Sequence, residues 1–294
     1  MKRISLLVGL ICFLSLSIYG AAIIEQFGVA NDGTPLYWKA AIPTDGKKHP
    51  AIVMLAGGRF KNPKSVPSIA INDLVAAGYA VFAAEYRLAP PRQLAGQTSN
   101  GRYPDQTNDV HLAVRSARHH SRANGQVAIV GGSAGASHAI FVGATGTAGE
   151  DRADVVVALS PVTDMADPES AQHGSWYRDV TNYVGSTDLA ALTNASPVHY
   201  FTATSAPTFV ICSDHEVMPI GQYNSIVNLA GSWSNFQSLL RSNSTLHSFL
   251  YWGDVKVRVI AFLSDKLSAS PTPAPTATVT FTPTPEPTAA RLSD

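Results

Sequence analysis

The apolar run Val127-Ala128-Ile129-Val130 passes directly into Gly131-Gly132-Ser133-Ala134-Gly135, and an Ala-rich helical stretch over 136–144 follows. A serine between glycines, at the junction of a strand and a helix, is the setting in which a hydroxyl is presented for nucleophilic attack. The steric reason is that the serine must occupy a sharp, strained turn. Flanking positions without side chains let strand and helix crowd against it. The other reading is a phosphate cradle at a helix N-terminus. It lacks both the Lys-Ser/Thr ending of a P-loop and the spacing of a dinucleotide fingerprint.

A serine hydroxyl is a weak nucleophile until an imidazole takes its proton, and that imidazole needs a carboxylate to fix its tautomer. In a strand–elbow–helix chain the order is serine, acid, histidine. The run Thr208-Phe209-Val210-Ile211 leads into Ser213-Asp214-His215-Glu216-Val217-Met218-Pro219, so Asp214, just past a buried strand, is expected to be the orienting acid, with Asp164 as the alternative. His247, in Thr245-Leu246-His247-Ser248-Phe249, is expected to be the base. His119 and His120 end a polar helix, His138 lies within the helix after Ser133, and His215 adjoins Asp214 too closely in sequence to face it properly. No two histidines have the i, i+4 spacing of a zinc helix, so a metal site is not expected. A tetrahedral intermediate needs backbone donors aimed at its oxygen. These are expected from the Ala134 N–H and from the loop Ala56-Gly57-Gly58-Arg59-Phe60, with Gly58 first and Arg59 second. The two loop glycines also suit a plain turn.

The strands and helices around these groups are legible as periodicity. Residues 23–30 and 36–42 flank Asn31-Asp32-Gly33 and predict an antiparallel hairpin. Short apolar runs at 51–55, 79–83, 127–130, 155–159 and 208–211 suit strands buried on both faces of a parallel sheet. Between them, Val110, Ala113, Val114 and Ala117 repeat at helical spacing, Gly78 reads as a helix stop, and a last helix is predicted from Asp254 with Val255, Val259, Phe262 and Leu263 on one face. Strands alternating with helices predict an α/β fold.

The ends differ from this body. Lys2 and Arg3 precede an apolar stretch over 4–19 and the small residues Gly20, Ala21 and Ala22, which reads as a secretory signal over 1–22, cleaved after Ala22 or Gly20. Once it is removed, no stable membrane insertion is expected. Residues 269–294 hold six prolines and seven threonines, which is incompatible with a sheet or helix interior. They predict a disordered tail, either associated with the cell wall or without a specific partner. One catalytic domain over 23–268 remains. The whole chain carries 21 Lys+Arg against 21 Asp+Glu, a balance that argues against nucleic-acid binding. Of two cysteines only Cys212 lies outside the leader, in an apolar run that makes it a buried, inert thiol.

Several stretches together resemble the α/β-hydrolase superfamily, in its esterase/lipase branch of hormone-sensitive-lipase-like and bifunctional feruloyl/acetyl-xylan esterases. They are Gly57-Gly58, Gly78-Tyr79-Ala80-Val81, Glu85-Tyr86-Arg87-Leu88-Ala89-Pro90, residues 131–136, Ala195-Ser196-Pro197, and Asp214 through Pro219 with His247. The resemblance implies a mostly parallel eight-stranded sheet with helices on both faces, and ester hydrolysis through an acyl-serine without a cofactor. Ala56 stands where that family usually has a histidine that steadies the loop, and Arg59 where a small or apolar residue often follows. The expectation is a secreted serine esterase acting on short acyl or aryl esters, including acetyl or feruloyl groups on polysaccharide. A peptidase or arylformamidase, or a non-catalytic wall or binding protein on the same fold, is the alternative. Trp176, Tyr177, Tyr183, Tyr200 and Phe201, within the long stretch between Ser160 and Ala206, are expected either to cap the site or to pack as a structural excursion.

Overall fold

The computed structural model describes residues 22–62 and 64–268. Apart from Ala22, the expected leader lies outside the described residues, as does the whole Pro/Thr-rich tail. Eight strands form one sheet: β1 (Ile23–Val29), β2 (Pro35–Ala41), β3 (His49–Leu55), β4 (Ala80–Ala84), β5 (Ala123–Gly132), β6 (Val155–Leu159), β7 (Thr208–Ser213) and β8 (Phe236–Arg241). Their order is β1-β2-β4-β3-β5-β6-β7-β8. The β1–β2 and β2–β4 pairs are antiparallel and the other five are parallel.

Side chains alternate across the central strands, as a period of two requires. Ala51, Val53 and Leu55 of β3 join a core with α2 (Asp105–Arg118), α3 (Ala134–Ala144) and α6 (Ile220–Ala230), whereas Ile52 and Met54 join one with α1 (Ser68–Ala76) and α7 (Trp252–Ser268). Both faces are therefore covered, which explains the unbroken apolar runs in the sequence. Strand β8 is not among the expected strands. It is an edge strand whose residues are only partly covered, so Phe236-Gln237-Ser238-Leu239-Leu240-Arg241 carries no continuous apolar signal. The last helix begins at Trp252, two residues before the expected Asp254. Among the described residues no helix is long and apolar enough to cross a membrane.

The chain between β6 and β7 builds α4 (Gly174–Val184) and α5 (Leu189–Ala195). Trp176, Val180, Tyr183, Leu192 and Ala195 from these helices form a third apolar cluster with Phe60, Ala134 and Met218, roofing the carboxyl ends of the strands. Strand order reverses around β3, which lies between β4 and β5. The carboxyl ends at such a reversal leave the crevice in which open α/β sheets hold ligands.

Candidate active site

The sheet register sets the first two components side by side. Leu55, the last residue of β3, pairs with Gly131 of β5, so the loop beginning at Ala56 emerges next to the turn at Ser133. A methyl group built on Gly57 would lie 2.8 Å from Ser133 Cβ, so the approach is open only to glycine. Ser133 has φ +55° and ψ −121°, between the end of β5 and the first residue of α3. Its N–H donates to Leu159 O at 2.8 Å, which fixes this strained turn against β6. Ala134 opens α3, so its N–H is one of the donors that the helix leaves without an internal acceptor.

The histidine arrives from the other side. A methyl on Gly132 would collide with Ser248 Oγ, which places the segment after His247 directly against the elbow. Ser133, Ala134, Gly57, Gly58 and His247 all line one cavity of about 460 Å³, walled on its apolar side by Phe60, Val162, Trp176, Val180, Val217 and Met218. The loop that carries His247 is tied down by Ser213 Oγ donating to Leu246 O at 2.7 Å and by the Ser248 N–H donating to Ser160 Oγ at 2.9 Å.

The carboxylate on His247 corrects the sequence expectation. Nδ1 of His247 bonds Glu216 Oε2, not Asp214. Asp214 turns toward the chain after β8. It accepts from the Asn243 N–H at 2.8 Å, the Ser244 N–H at 3.0 Å and His215 Nδ1 at 2.7 Å. Its carboxyl is lowered to about 2, chiefly by the Ser244 N–H, with Asn243 and His215 adding to it. His215 and Asp214 thus do face each other, contrary to the sequence expectation, but their pair serves a turn and not the base. The physical reason for the exchange is reach: the chain turns after Ser213, and the longer glutamate two positions on folds back beneath the strand end. Asp164, the other candidate acid, lies 3.8 Å from His199.

Glu216 is held tightly. Its side chain is 1% exposed, and Oε1 accepts from Ser160 Oγ at 2.9 Å and from the Ser213 N–H at 2.8 Å. Ser160 is itself fully buried at φ +55°, with Tyr251 Oη 2.8 Å from its hydroxyl. The carboxylate fixes the proton on Nδ1 of His247 and leaves Nε2 as the lone-pair nitrogen. Sequence reasoning missed Glu216, Ser160 and Tyr251. Glu216 could have been found as a second carboxylate within three residues of a strand end, whereas Ser160 and Tyr251 carry no local signal.

The Tyr-Arg-Leu-Ala-Pro run brackets the Gly-Gly loop. Tyr86 Oη donates to Ala56 O at 2.7 Å, and the Ala89 N–H donates to Phe60 O at 2.9 Å. Between them, buried Arg87 donates to Asp109 at 2.8 Å through Nη2 and at 2.9 Å through Nε, and to Asn31 Oδ1 at 2.7 Å. Gln106 Nε2 adds a second donor to Phe60 O at 2.8 Å, and its Oε1 lies 3.0 Å from His138 Nε2. Burial lowers His138 to about 3, so this ring is neutral and structural. The loop is therefore fixed at both ends without a histidine at position 56.

Of the five aromatics in the excursion, Trp176 lines the cavity. Tyr183 is buried and stacks on Phe60 at 4.1 Å, Tyr200 packs on Phe141, and Phe201 stacks on Trp233, so these three serve packing. Tyr177 packs partly buried against the same roof cluster. Cys212 is buried, with its thiol pushed up by desolvation. Among the described residues no group of three or more His, Cys, Asp or Glu could hold a metal ion.

A serine elbow after the fifth strand of an eight-stranded, mostly parallel sheet, with helices on both faces, defines an α/β-hydrolase fold. The family comparison agrees, since the BD-FAE model matches residues 40–228 and the chain belongs to that family. Solved structures with the same fold include an acetyl ester-xyloside bifunctional hydrolase from Caldicellulosiruptor lactoaceticus. It is 18% identical with a TM-score of 0.64, over 79% of this chain and 88% of that one. Esterase 2 of Thermogutta terrifontis, in a form phosphonylated by sarin, is 17% identical with a TM-score of 0.65, over 83% and 94% of the two chains. An esterase from Pyrobaculum calidifontis is 20% identical with a TM-score of 0.65, over 86% and 87%. Among curated proteins none matches.

Proposed function

We propose that this protein is a secreted serine carboxylic-ester hydrolase that works through an acyl-Ser133 intermediate. The observation that carries the reading is one cavity shared by a serine on a strained elbow and a histidine whose Nδ1 is held by the buried carboxylate of Glu216. Ser133 Oγ attacks the ester carbonyl as Nε2 of His247 takes its proton, and Glu216 stabilises the imidazolium. The N–H groups of Gly58 and Ala134 receive the carbonyl oxygen as it becomes an oxyanion. His247 then returns the proton to the departing alcohol. Water, activated by the same nitrogen, releases the acid and restores the serine.

The acids, alcohols and charges involved need no metal or cofactor. The apolar wall of Phe60, Val162, Trp176 and Val180 suits short acyl or aryl groups. The Caldicellulosiruptor hydrolase, named for acetyl ester and xyloside substrates, makes acetyl groups on polysaccharide the first substrates to assay, with feruloyl groups second. The apolar leader and the Pro/Thr-rich tail of the sequence support export and a place at the cell wall.

The test is turnover of 4-nitrophenyl acetate by purified wild type and Ser133→Ala. Wild type should turn over and the variant should fall to background. Equal, near-background rates in both would reject the enzyme reading, and hydrolysis of anilides but not esters would move it to an amide substrate. An organophosphonate, the class of reagent that modifies the Thermogutta esterase, should add once to the wild type and not to Ser133→Ala.

A further inference from the structure

The Gly-Gly loop holds an unusual backbone. Gly58, Arg59 and Phe60 have φ of +130°, +59° and +63°, so two side-chain-bearing residues in succession occupy the left-handed region. Such a conformation lasts only where its surroundings hold it. Phe60 is accounted for by its ring on Tyr183 and by the two donors to its carbonyl. Arg59 is held differently. Its Nε donates to Asp179 Oδ2, and Lys61 Nζ donates to Asp179 Oδ1 at 2.7 Å. Asp179 lies on α4, the roof helix that also supplies Trp176 and Val180 to the cavity wall, and it is only 7% exposed. A single buried carboxylate thus grips the residues on both sides of Phe60, one position beyond the Gly58 N–H.

We propose that Asp179 is a positioning residue. By holding Arg59 and Lys61 from the roof, it keeps the Gly58 N–H aimed at the carbonyl oxygen of a bound ester. This inference rests on the esterase reading above. The pair is charge-assisted and the carboxylate is withdrawn from water, so it restrains the loop more firmly than an exposed ion pair would.

Two readouts separate positioning from a merely structural role. The first is the split between kcat and KM on 4-nitrophenyl acetate. The second is the affinity of an alkyl trifluoromethyl ketone, whose adduct with the serine carries an oxyanion. Asp179→Asn should lower kcat by about 10- to 100-fold, with KM within about threefold, and weaken the ketone by the same factor as kcat/KM. Asp179→Glu should recover part of both losses. If Asp179→Asn does not fold, Arg59→Met with Lys61→Met removes the other side of the clamp, at a half-exposed and a partly exposed position, and should show the same paired losses. A folded variant with kcat within about twofold of wild type, or with a kcat/KM loss that the ketone does not follow, would overturn the proposal. Ser133→Ala in the same assay keeps the two claims apart. An active Ser133→Ala enzyme removes the esterase reading, whereas an inactive one beside a fully active Asp179 variant removes only the positioning role.

Discussion

Nδ1 of His247 bonds Oε2 of Glu216, while Oε1 of the same carboxylate is spoken for by Ser160 Oγ and the Ser213 N–H. Both oxygens are therefore engaged, and the imidazole meets an acceptor that is itself held in place. The carboxylate is held at the ends of β6 and β7, through Ser160 and Ser213. The N–H of Ser248 closes the circle on Ser160.

Asp214 has a different job, which its pH dependence should reveal. Its folded carboxyl lies near 2, below the ordinary 3.8, because it accepts the Ser244 and Asn243 N–H groups. A depressed carboxyl contributes stability that is present above its unfolded pKa and is lost as pH falls through the folded one. Asp214→Asn should therefore be less stable than wild type in urea at about pH 6, and the deficit should narrow below about pH 4. A deficit that stays constant to about pH 3 would contradict the assignment.

Tyr86 bears on both stability and rate. Tyr86→Phe strips the donor from the buried Ala56 carbonyl, a loss worth about 1–3 kcal/mol. The melting temperature should fall by several degrees, and kcat should fall by about tenfold as the Gly58 end of the loop loosens. Unchanged kcat in a destabilised variant would confine Tyr86 to folding.

Arg87 bears on folding alone. Arg87→Met leaves Asp109, whose side chain is 1% exposed, without its cation, and should cost about 3–5 kcal/mol. Asp109→Asn in that background should recover part of the loss, because it removes the stranded charge. Thermal denaturation of the two variants and their combination measures this coupling. Purely additive losses would show that the pair is not the source.

Much of this architecture was legible in the sequence because burial on both faces writes continuous apolar runs, and β3 to β7 all have them. The elbow was legible because Gly131-Gly132-Ser133-Ala134-Gly135 needs small residues at fixed offsets. Strand β8 was not, since a half-covered edge strand leaves no such run. Asp214 and Glu216 are indistinguishable in the sequence because position in the chain does not say which of two nearby carboxylates turns inward. That choice is made by the Asn243 and Ser244 N–H groups, which arrive from a distant turn and claim the aspartate. The grip of Asp179 on Arg59 and Lys61 was equally silent, as it joins residues about 120 positions apart.

Whether Glu216 orients the base of a serine esterase is decided by kcat for 4-nitrophenyl acetate in Glu216→Gln and Asp214→Asn, measured side by side. Glu216→Gln should lose on the order of 10³- to 10⁴-fold, because a neutral amide neither fixes the Nδ1–H tautomer nor stabilises the imidazolium. Asp214→Asn, assayed at neutral pH where it is folded, should stay within about fivefold of wild type. The reverse order, with Asp214→Asn inactive and Glu216→Gln near wild type, would return the orienting role to Asp214.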